Sequence, residues 1–251
     1  MSTSPRKRAF HALQEQRQRW AAARFAMLAT ILLLSIGVLM LAAQLVSIEH
    51  RLILRLILQL VMYAPLVVGV YVVSGNTRFV VVWGAGLVIA VALGLLADIH
   101  GEHDLLLIDL GIRCVLMGAL MFWVAREMLR DVRVSLDTIL GGICLYILIG
   151  YLYAMLYLML ILGDPTSILV GGQPLDVALS SSQLLQTVSS IFYFSFTAFT
   201  TMGFGDITSV SPLARYVTIT EGMLGQLYPA IFIARLVSLN LIHAASPPGD
   251  D

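Results

Sequence analysis

Thr200-Thr201-Met202-Gly203-Phe204-Gly205-Asp206 is a short polar run with two glycines, and it lies between two hydrophobic stretches. The whole chain is 59% hydrophobic and 12% charged. Because a soluble domain is usually about a quarter charged, this composition indicates an integral membrane protein. At membrane depth, polar backbone is tolerated only where it is buried in protein or lines a water-filled path. The run therefore predicts a specialised site rather than an ordinary connection between helices.

Six apolar segments are each close to the ~20 residues that a helix needs to cross a bilayer. They predict an all-α membrane protein with six transmembrane helices, at residues 25–46, 52–73, 79–97, 105–124, 138–162 and 213–242. Arg6, Lys7 and Arg8, just before the first segment, resemble the start of a signal peptide. That segment is longer than the ~7–15 apolar residues of a cleavable signal, so we interpret it as a retained helix.

Positive charge is distributed unevenly between the connections. Residues 1–24 form a basic segment, in which 9–24 lack helix breakers and fit an interfacial helix. The predicted outer connections, 98–104 and 163–183, contain no Lys or Arg. The inner connections contain Arg78, Arg126, Arg130 and Arg133, and the exceptions near the first outer turn are Arg51 and Arg55. The positive-inside rule therefore predicts that both termini are cytoplasmic.

The connection 163–212 is the only long one between the predicted helices. Its first half is rich in Gly, Pro and Asp and is predicted as an outer loop. Residues 187–200 lack Gly and Pro but are too few to span, so they predict a re-entrant helix that dips in from outside. Its C-terminal end, the negative end of the helix dipole, would point to the membrane centre just before the polar run.

This arrangement suits a cation. An ion that leaves water needs replacement ligands, which inward-facing carbonyl oxygens supply. Successive carbonyls point one way only if some residues adopt backbone angles closed to most side chains, and this is the predicted use of Gly203 and Gly205. Thr201 can add a hydroxyl ligand. Since one such loop supplies one wall, a pore of this kind needs four chains around one axis.

The stretch 195–207 resembles the pore helix and selectivity filter of potassium channels. The similarity continues through Ala214-Arg215, Glu221, Gly225 and the stretch 233–237, and it covers about residues 138–242. This part of the chain is similar to small bacterial channels of the two-helix pore superfamily, here with four extra N-terminal helices. The resemblance implies a tetramer in the plasma membrane, here the bacterial inner membrane.

The resemblance also implies residue roles. The carbonyl ligands for potassium would be Thr201, Met202, Gly203 and Phe204, with Gly205 shaping the outer mouth and the Thr201 hydroxyl as the lowest ligand. Filter support would come from Thr200, Asp206, Tyr193 and Phe194, of which the two aromatic residues would form a cuff. The pore-lining helix would have its gating hinge at Gly225, near Glu221 and Pro229.

Two filter residues depart from the family pattern. Met202 replaces the usual Val or Ile, and Phe204 replaces the commoner Tyr, whose hydroxyl can brace the filter. Because Phe occurs there in some potassium-selective relatives, we expect potassium selectivity. A softer filter with inactivation or sodium leakage is the alternative.

Six helices with one pore loop raise the question of voltage gating. A voltage sensor needs several intramembrane arginines, because each charge contributes only ~2.3 kcal/mol per 100 mV. The fourth segment contains only Arg113, and Asp109 lies one turn earlier, where it can pair with it. We therefore expect no steep voltage gating, and we favour a structural role for the pair over a functional site.

Other polar residues also have two interpretations. Glu221 either contacts the Ser- and Thr-rich back of the re-entrant helix, which we favour, or tunes ion or proton occupancy. Arg215 and Arg235 are charges at the two pore mouths or, as we favour, interfacial anchors. Pro229 marks a gate or, as we favour, only a kink in the sixth helix. His100 and His103 sense pH or, as we favour, are solvated loop residues. Cys114 and Cys144 are interpreted as packing residues.

Together these features predict a passive, potassium-selective homotetramer whose only bound ligands are permeant potassium ions. We expect no enzyme activity, no other cofactor, no nucleic acid partner and no nucleotide-binding domain. The predicted domains are a cytosolic segment 1–24, a peripheral membrane domain 25–133 without a charged sensor, a pore domain 134–243 and a cytosolic tail 244–251. The alternatives are a poorly selective cation channel and a non-conducting membrane sensor or subunit with a pore fold.

Overall fold

The computed structural model describes residues 25–41, 59, 63–67, 69, 77–100, 103–130, 136–175 and 181–245. The basic segment 1–24, most of the predicted second helix and the tail after residue 245 lie outside these ranges. The helices within them are α1 (Phe25–Leu41), α2 (Thr77–His100), α3 (His103–Arg130), α4 (Leu136–Gly163), α5 (Ser181–Phe199) and α6 (Pro212–Ala245).

Three of the described helices are long and apolar enough to cross a membrane. Their candidate spans are Asp104–Leu129 in α3, Thr138–Gly163 in α4 and Pro212–Leu241 in α6. Phe25–Leu41 and Val81–Gly94 are shorter apolar helices. The all-α membrane fold class is thereby confirmed. The described residues bear out the fourth, fifth and sixth predicted spans, and the first and third correspond to the two shorter helices.

The predicted connection between the third and fourth helices is wrong. The expected outer loop 98–104 is largely helical, because α2 continues through His100 and α3 begins at His103. Asp104 lies in the first turn of α3, where a negative charge is stabilised by the helix dipole. At its other end α3 runs six residues past Val124 to Arg130, since Ala125 to Arg130 are all good helix formers.

A small sheet on the outer connection was not predicted. Strand β1 (Ile168–Val170) pairs antiparallel with β2 (Gln173–Pro174) through the turn Gly171-Gly172. It also pairs antiparallel with β3 (Ile207–Ser209), which follows the polar run. Because β1 follows α4 closely, this pairing returns the chain to the side from which α5 enters. The pairing therefore supports the re-entrant path predicted for α5.

Helix α5 begins at Ser181, six residues earlier than predicted, and ends at Phe199. Helix α6 then starts with a regular N-terminal cap. The Ser211 hydroxyl accepts a hydrogen bond from the Ala214 amide at 3.2 Å, and Pro212 occupies the first helical position, where its missing N–H costs nothing. The cap fixes where the chain turns from the sheet into α6.

Helix α4 is the centre of the bundle. Its tyrosines pack edge-on against α5, with ring centroids 4.9 Å apart for Tyr151 and Phe192. The Tyr151 hydroxyl donates to the Leu32 carbonyl at 3.2 Å, and the Cys144 thiol donates to the Phe25 carbonyl at 3.2 Å. These two hydrogen bonds attach helix α1 to α4.

The inner end of α6 is attached to the end of α3. The Arg235 guanidinium donates through Nη2 to the carbonyls of Met128 and Leu129, at 3.2 and 3.4 Å. A cation is favourable at a helix C-terminus, where carbonyls have no partner within the helix. Arg235 therefore makes a defined contact with the C-terminal end of α3, which the expected role of interfacial anchor does not include.

Candidate functional site

The polar run starts where α5 ends, and its amides satisfy the last carbonyls of that helix. The Thr201 amide donates to the Ala198 carbonyl at 3.0 Å, and the Met202 amide donates to the Thr197 carbonyl at 2.9 Å. The Gly203 amide also points to the Thr197 carbonyl, at 3.3 Å. These bonds use groups that every helix end leaves without intrahelical partners, and they attach the run to α5.

Those amide bonds fix the direction of the carbonyls. In a planar trans peptide, the C=O of one residue points opposite to the N–H of the next. Because the Met202 and Gly203 amides point back toward α5, the carbonyls of Thr201 and Met202 both point away from it. The residues from Thr201 to Asp206 are exposed. Two consecutive carbonyl oxygens therefore face the same open side.

The backbone angles along the run alternate in the way that aligned carbonyls require. Thr201, Gly203 and Gly205 have φ of 59°, 51° and 82°, in the left-handed region. The prediction that Gly203 and Gly205 adopt angles closed to most side chains is confirmed. Gly203 has no heavy atom within 4 Å of the place where a Cβ would be, so its φ alone requires glycine.

Thr201 is the unexpected member of this series. A β-branched residue in the left-handed region is a genuine outlier, and such strain costs about 1–3 kcal/mol. Its hydroxyl donates to the Thr200 carbonyl at 2.7 Å and accepts from the Gln226 side-chain amide at 2.8 Å. The Thr200 hydroxyl donates to the Phe196 carbonyl at 2.7 Å, in the last turn of α5, and its role in filter support stays a prediction.

The outer end of the run is supported by an aromatic residue of α5. The Tyr193 ring is stacked on Phe204, with centroids 6.3 Å apart and planes 4° apart. The Asp206 carbonyl accepts from the Gly171 amide at 2.9 Å, which joins the run to the hairpin.

Phe194 does not join Tyr193 in this contact. It packs against Tyr157 of α4, with centroids 5.0 Å apart and an interplanar angle of 63°. Successive residues of a helix point about 100° apart, so two neighbours cannot both face the run. The expected two-residue cuff on the run is therefore formed by Tyr193 alone within the chain.

Glu221 lies behind α5 and is completely buried. The Ser195 hydroxyl lies 2.5 Å from Oε1, and the Tyr157 hydroxyl donates to Oε2 at 2.7 Å. One carboxyl group thus joins α4, α5 and α6. The favoured interpretation of Glu221, a contact with the back of the re-entrant helix, is confirmed, and Tyr157 is a partner that the sequence did not reveal.

Gly225 has a packing role that the sequence did not reveal. A Cβ on this residue would lie 1.8 Å from the Phe199 carbonyl oxygen, so α6 passes directly against the end of α5. This contact explains the glycine whether or not the helix bends there, and the gating hinge stays a prediction. The α6 helix is continuous through Pro229.

Gln226 is the residue of this site that sequence reasoning missed. It follows Gly225, and its side-chain amide reaches the Thr201 hydroxyl. The signal was present in the sequence, since Gln226 is an amide in the apolar middle of α6. Polar residues within membrane helices mark functional sites by default.

Arg113 and Asp109 of α3 form a buried salt bridge. Arg113 contacts the Asp109 carboxylate through both Nη2 and Nε, the second at 3.0 Å, and both residues are buried. The Tyr63 hydroxyl donates to Asp109 at 3.1 Å, and the Arg113 guanidinium lies 4.3 Å from the centre of the Tyr63 ring. This geometry matches the favoured structural role of the pair.

The remaining candidate groups have ordinary partners. Cys114 and Cys144 are free thiols in packed surroundings, as predicted, and no disulfide links them. Among the residues that the structure describes, no three His, Cys, Asp or Glu side chains come together as a metal site.

Asp164, which directly follows α4, caps the turn Pro165–Ser167. Hydrogen bonds from the Thr166 hydroxyl and amide lower the pKa of the Asp164 carboxyl below its ordinary value.

Helix α6 exposes most of its apolar surface beside the run. Only 6% of its candidate span is buried, whereas 61% of the α4 span is buried. The exposed side chains include Tyr216, Ile219, Met223 and Leu227. The face that α6 shares with the polar run is therefore uncovered within a single chain.

Comparison with known families gives one match. Residues 143–241 match a family model described as "Ion channel". These residues contain most of α4, the outer connection, α5, the polar run and most of α6. Comparisons with curated proteins and with solved structures give no match.

Proposed function

We propose that this chain is one of four identical subunits of a potassium-selective channel, a proposal supported by the match of residues 143–241 to the family model described as "Ion channel". The observation that carries the proposal is the orientation of the backbone after α5. The carbonyls of Thr201 and Met202 face one open side, and the left-handed angles at Gly203 and Gly205 continue the pattern. Such a strand supplies the oxygens that replace the hydration shell of an ion.

Potassium is the transported substrate in this proposal. Its ligands are the carbonyl oxygens of Thr201, Met202, Gly203 and Phe204, with the Thr201 hydroxyl as the innermost ligand and Gly205 at the outer mouth. The Tyr193 stack on Phe204 supports the filter where the family commonly has a tyrosine hydroxyl. Transport is passive, without an enzymatic step or a bound cofactor.

The tetramer is supported by what a single chain leaves uncovered. The polar run and the adjacent face of α6 are exposed together. A polar backbone at membrane depth cannot face lipid, so something other than lipid must cover this side. Four copies around one axis cover it and complete the walls of the filter. The proposed setting is the plasma membrane, with both termini in the cytoplasm.

The test is potassium flux from liposomes that contain the purified full chain. Wild type is expected to release potassium and Gly203→Ala to lose the flux, because alanine is strained at φ 51°. Gly172→Ala is the matched control and is expected to keep the flux, since Gly172 has φ 83° and equally open surroundings but lies in the hairpin turn. Equal background flux from wild type and Gly203→Ala would support the non-conducting alternative.

Selectivity needs a separate measurement. Reversal potentials in mixed potassium and sodium are expected to follow the potassium gradient. A reversal potential that indicates equal permeability to potassium and sodium would favour the alternative, a poorly selective cation channel. Chemical cross-linking of the purified protein is expected to give a tetramer as the largest product.

A further inference from the structure

The contact between Gly225 and the end of α5 brings a polar side chain to the base of the filter. Because Gly225 lacks a Cβ, α6 lies directly against the Phe199 carbonyl. The next residue, Gln226, then reaches the Thr201 hydroxyl, with 2.8 Å between Nε2 and Oγ1. This hydrogen bond joins the proposed pore-lining helix to the innermost proposed ligand of the filter.

The bond leaves the Thr201 hydroxyl with one defined direction for an ion. A hydroxyl has one hydrogen and two acceptor lone pairs. The hydrogen is directed to the Thr200 carbonyl at 2.7 Å, and one lone pair accepts from Gln226. Since the hydrogen is already used, the Gln226 atom that faces the hydroxyl must be the amide nitrogen. One lone pair then remains for a cation.

We propose that Gln226 is a specificity-determining positioning residue, which holds the Thr201 hydroxyl in place as a ligand of the innermost cation site. This inference rests on the proposed potassium channel function. A ligand that is fixed on both sides cannot close around a smaller ion, so the site keeps the spacing that suits potassium. Without the amide, only the bond to the Thr200 carbonyl holds the hydroxyl, which can then approach sodium more closely. Gln226 also helps to hold Thr201 in its left-handed conformation.

The first experiment measures permeability ratios of the full chain in planar bilayers. Gln226→Met removes the amide at nearly constant size, and it is expected to raise the sodium-to-potassium permeability ratio about 2- to 10-fold, the equivalent of one hydrogen bond. Asn240→Leu removes an exposed amide from the same helix far from the filter and is expected to leave the ratio unchanged. The thermal midpoint of the Gln226→Met tetramer is expected to stay near that of wild type.

A double-mutant cycle distinguishes positioning from a general structural effect. In Thr201→Val, which lacks the hydroxyl, Gln226→Met is expected to have no further effect. In Thr201→Ser, which keeps it, the effect of Gln226→Met is expected to persist. If Thr201→Val carries no current, the same cycle is measured by calorimetric titration of the purified protein with potassium. Additive effects in either measurement would overturn the inference.

The failure of this inference is distinguishable from the failure of the proposed function. A wild-type chain that carries no potassium current overturns both. A wild-type chain that selects potassium, with an unchanged ratio in Gln226→Met, overturns only the role of Gln226.

Discussion

The Cβ that Gly225 lacks would lie 1.8 Å from the carbonyl oxygen of Phe199, well inside any allowed contact. Gly225→Ala must therefore push α6 away from the end of α5. We expect a loss of about 1–3 kcal/mol or more in the stability of the fold, together with loss of potassium flux. Thermal midpoints and liposome flux measure the two effects.

Gly222 is the matched control for this substitution. It lies on the same helix, and its nearest neighbour to an added Cβ is the Ala198 carbonyl at 3.7 Å, an ordinary contact. Gly222→Ala is expected to keep the flux and to gain up to ~1 kcal/mol from helix propensity. Equal losses in both variants would mean that helix flexibility, rather than the contact with Phe199, explains Gly225.

The carboxyl group of Glu221 gives a second prediction. In Glu221→Leu the Ser195 and Tyr157 hydroxyls lose the carboxylate and keep only their weaker acceptors, the Gly150 carbonyl and the Thr218 hydroxyl. We therefore expect the protein to lose about 1–3 kcal/mol of stability. Glu221→Gln keeps one acceptor and is expected to lose less. The order of the thermal midpoints checks the claim. If the two variants are equally destabilised, hydrogen bonding is not what Glu221 contributes.

The charge pair of α3, Asp109 and Arg113, gives a third prediction. Arg113→Leu leaves the Asp109 carboxylate buried without its cation, and we expect a loss of about 3–5 kcal/mol. Asp109→Leu together with Arg113→Leu is expected to recover most of that loss, because no uncompensated charge remains. Thermal midpoints of the single and double variants test this. A double variant that is no more stable than the single one would contradict it.

The same double variant tests the voltage dependence. Asp109 and Arg113 together carry no net charge, so their removal is expected to leave the slope of conductance against voltage unchanged, and that slope is expected to be shallow. Single-channel or ensemble currents over a range of potentials provide the measurement. A steep slope that disappears in the double variant would identify the pair as a sensor.

Asp164 predicts a specific response to acid. Its folded-state pKa is lowered, mainly by the Thr166 hydroxyl and amide. Its contribution to stability is therefore complete above the ordinary aspartate pKa of about 3.9 and is lost as the pH falls through the lower folded value. We expect the thermal midpoint of wild type to fall more steeply in this acidic range than that of Asp164→Asn, which keeps an acceptor but does not titrate. Parallel curves would contradict the prediction.

Much of the site could be predicted because it depends on residue type. Gly203 and Gly205 predicted a left-handed backbone conformation, since few other residues adopt it. The left-handed Thr201 could not be predicted, because a β-branched residue disfavours that region. Its side-chain partner Gln226 is 25 residues away, so no local pattern reveals the contact. Tyr157 was missed as a partner of Glu221 for a similar reason, since no local pattern links residues 64 positions apart.

The fold shows the same division between local and distant information. Long apolar segments identified α3, α4 and α6, whereas the three-residue strands are too short to show a period of two. The Gly171-Gly172 pair indicated a turn within a loop, but the pairing of β1 with β3 depends on residues after the polar run. The boundary errors at residues 98–104 arose from treating charge as a sign of a loop, although charged residues are good helix formers near helix ends.

The pairing of β1 with β3 has a consequence for how the protein is made. Val170 is opposite Ile207, which is 207 − 170 = 37 positions later in the chain. At typical rates of synthesis, roughly two to seven seconds pass between the addition of one and of the other. The β1–β2 hairpin can form from neighbouring residues during that time, but the β1–β3 pair must wait and then bear the entropy of closing a long loop. The end of the polar run is therefore attached to the hairpin only after residues 207–209 have been added to the chain.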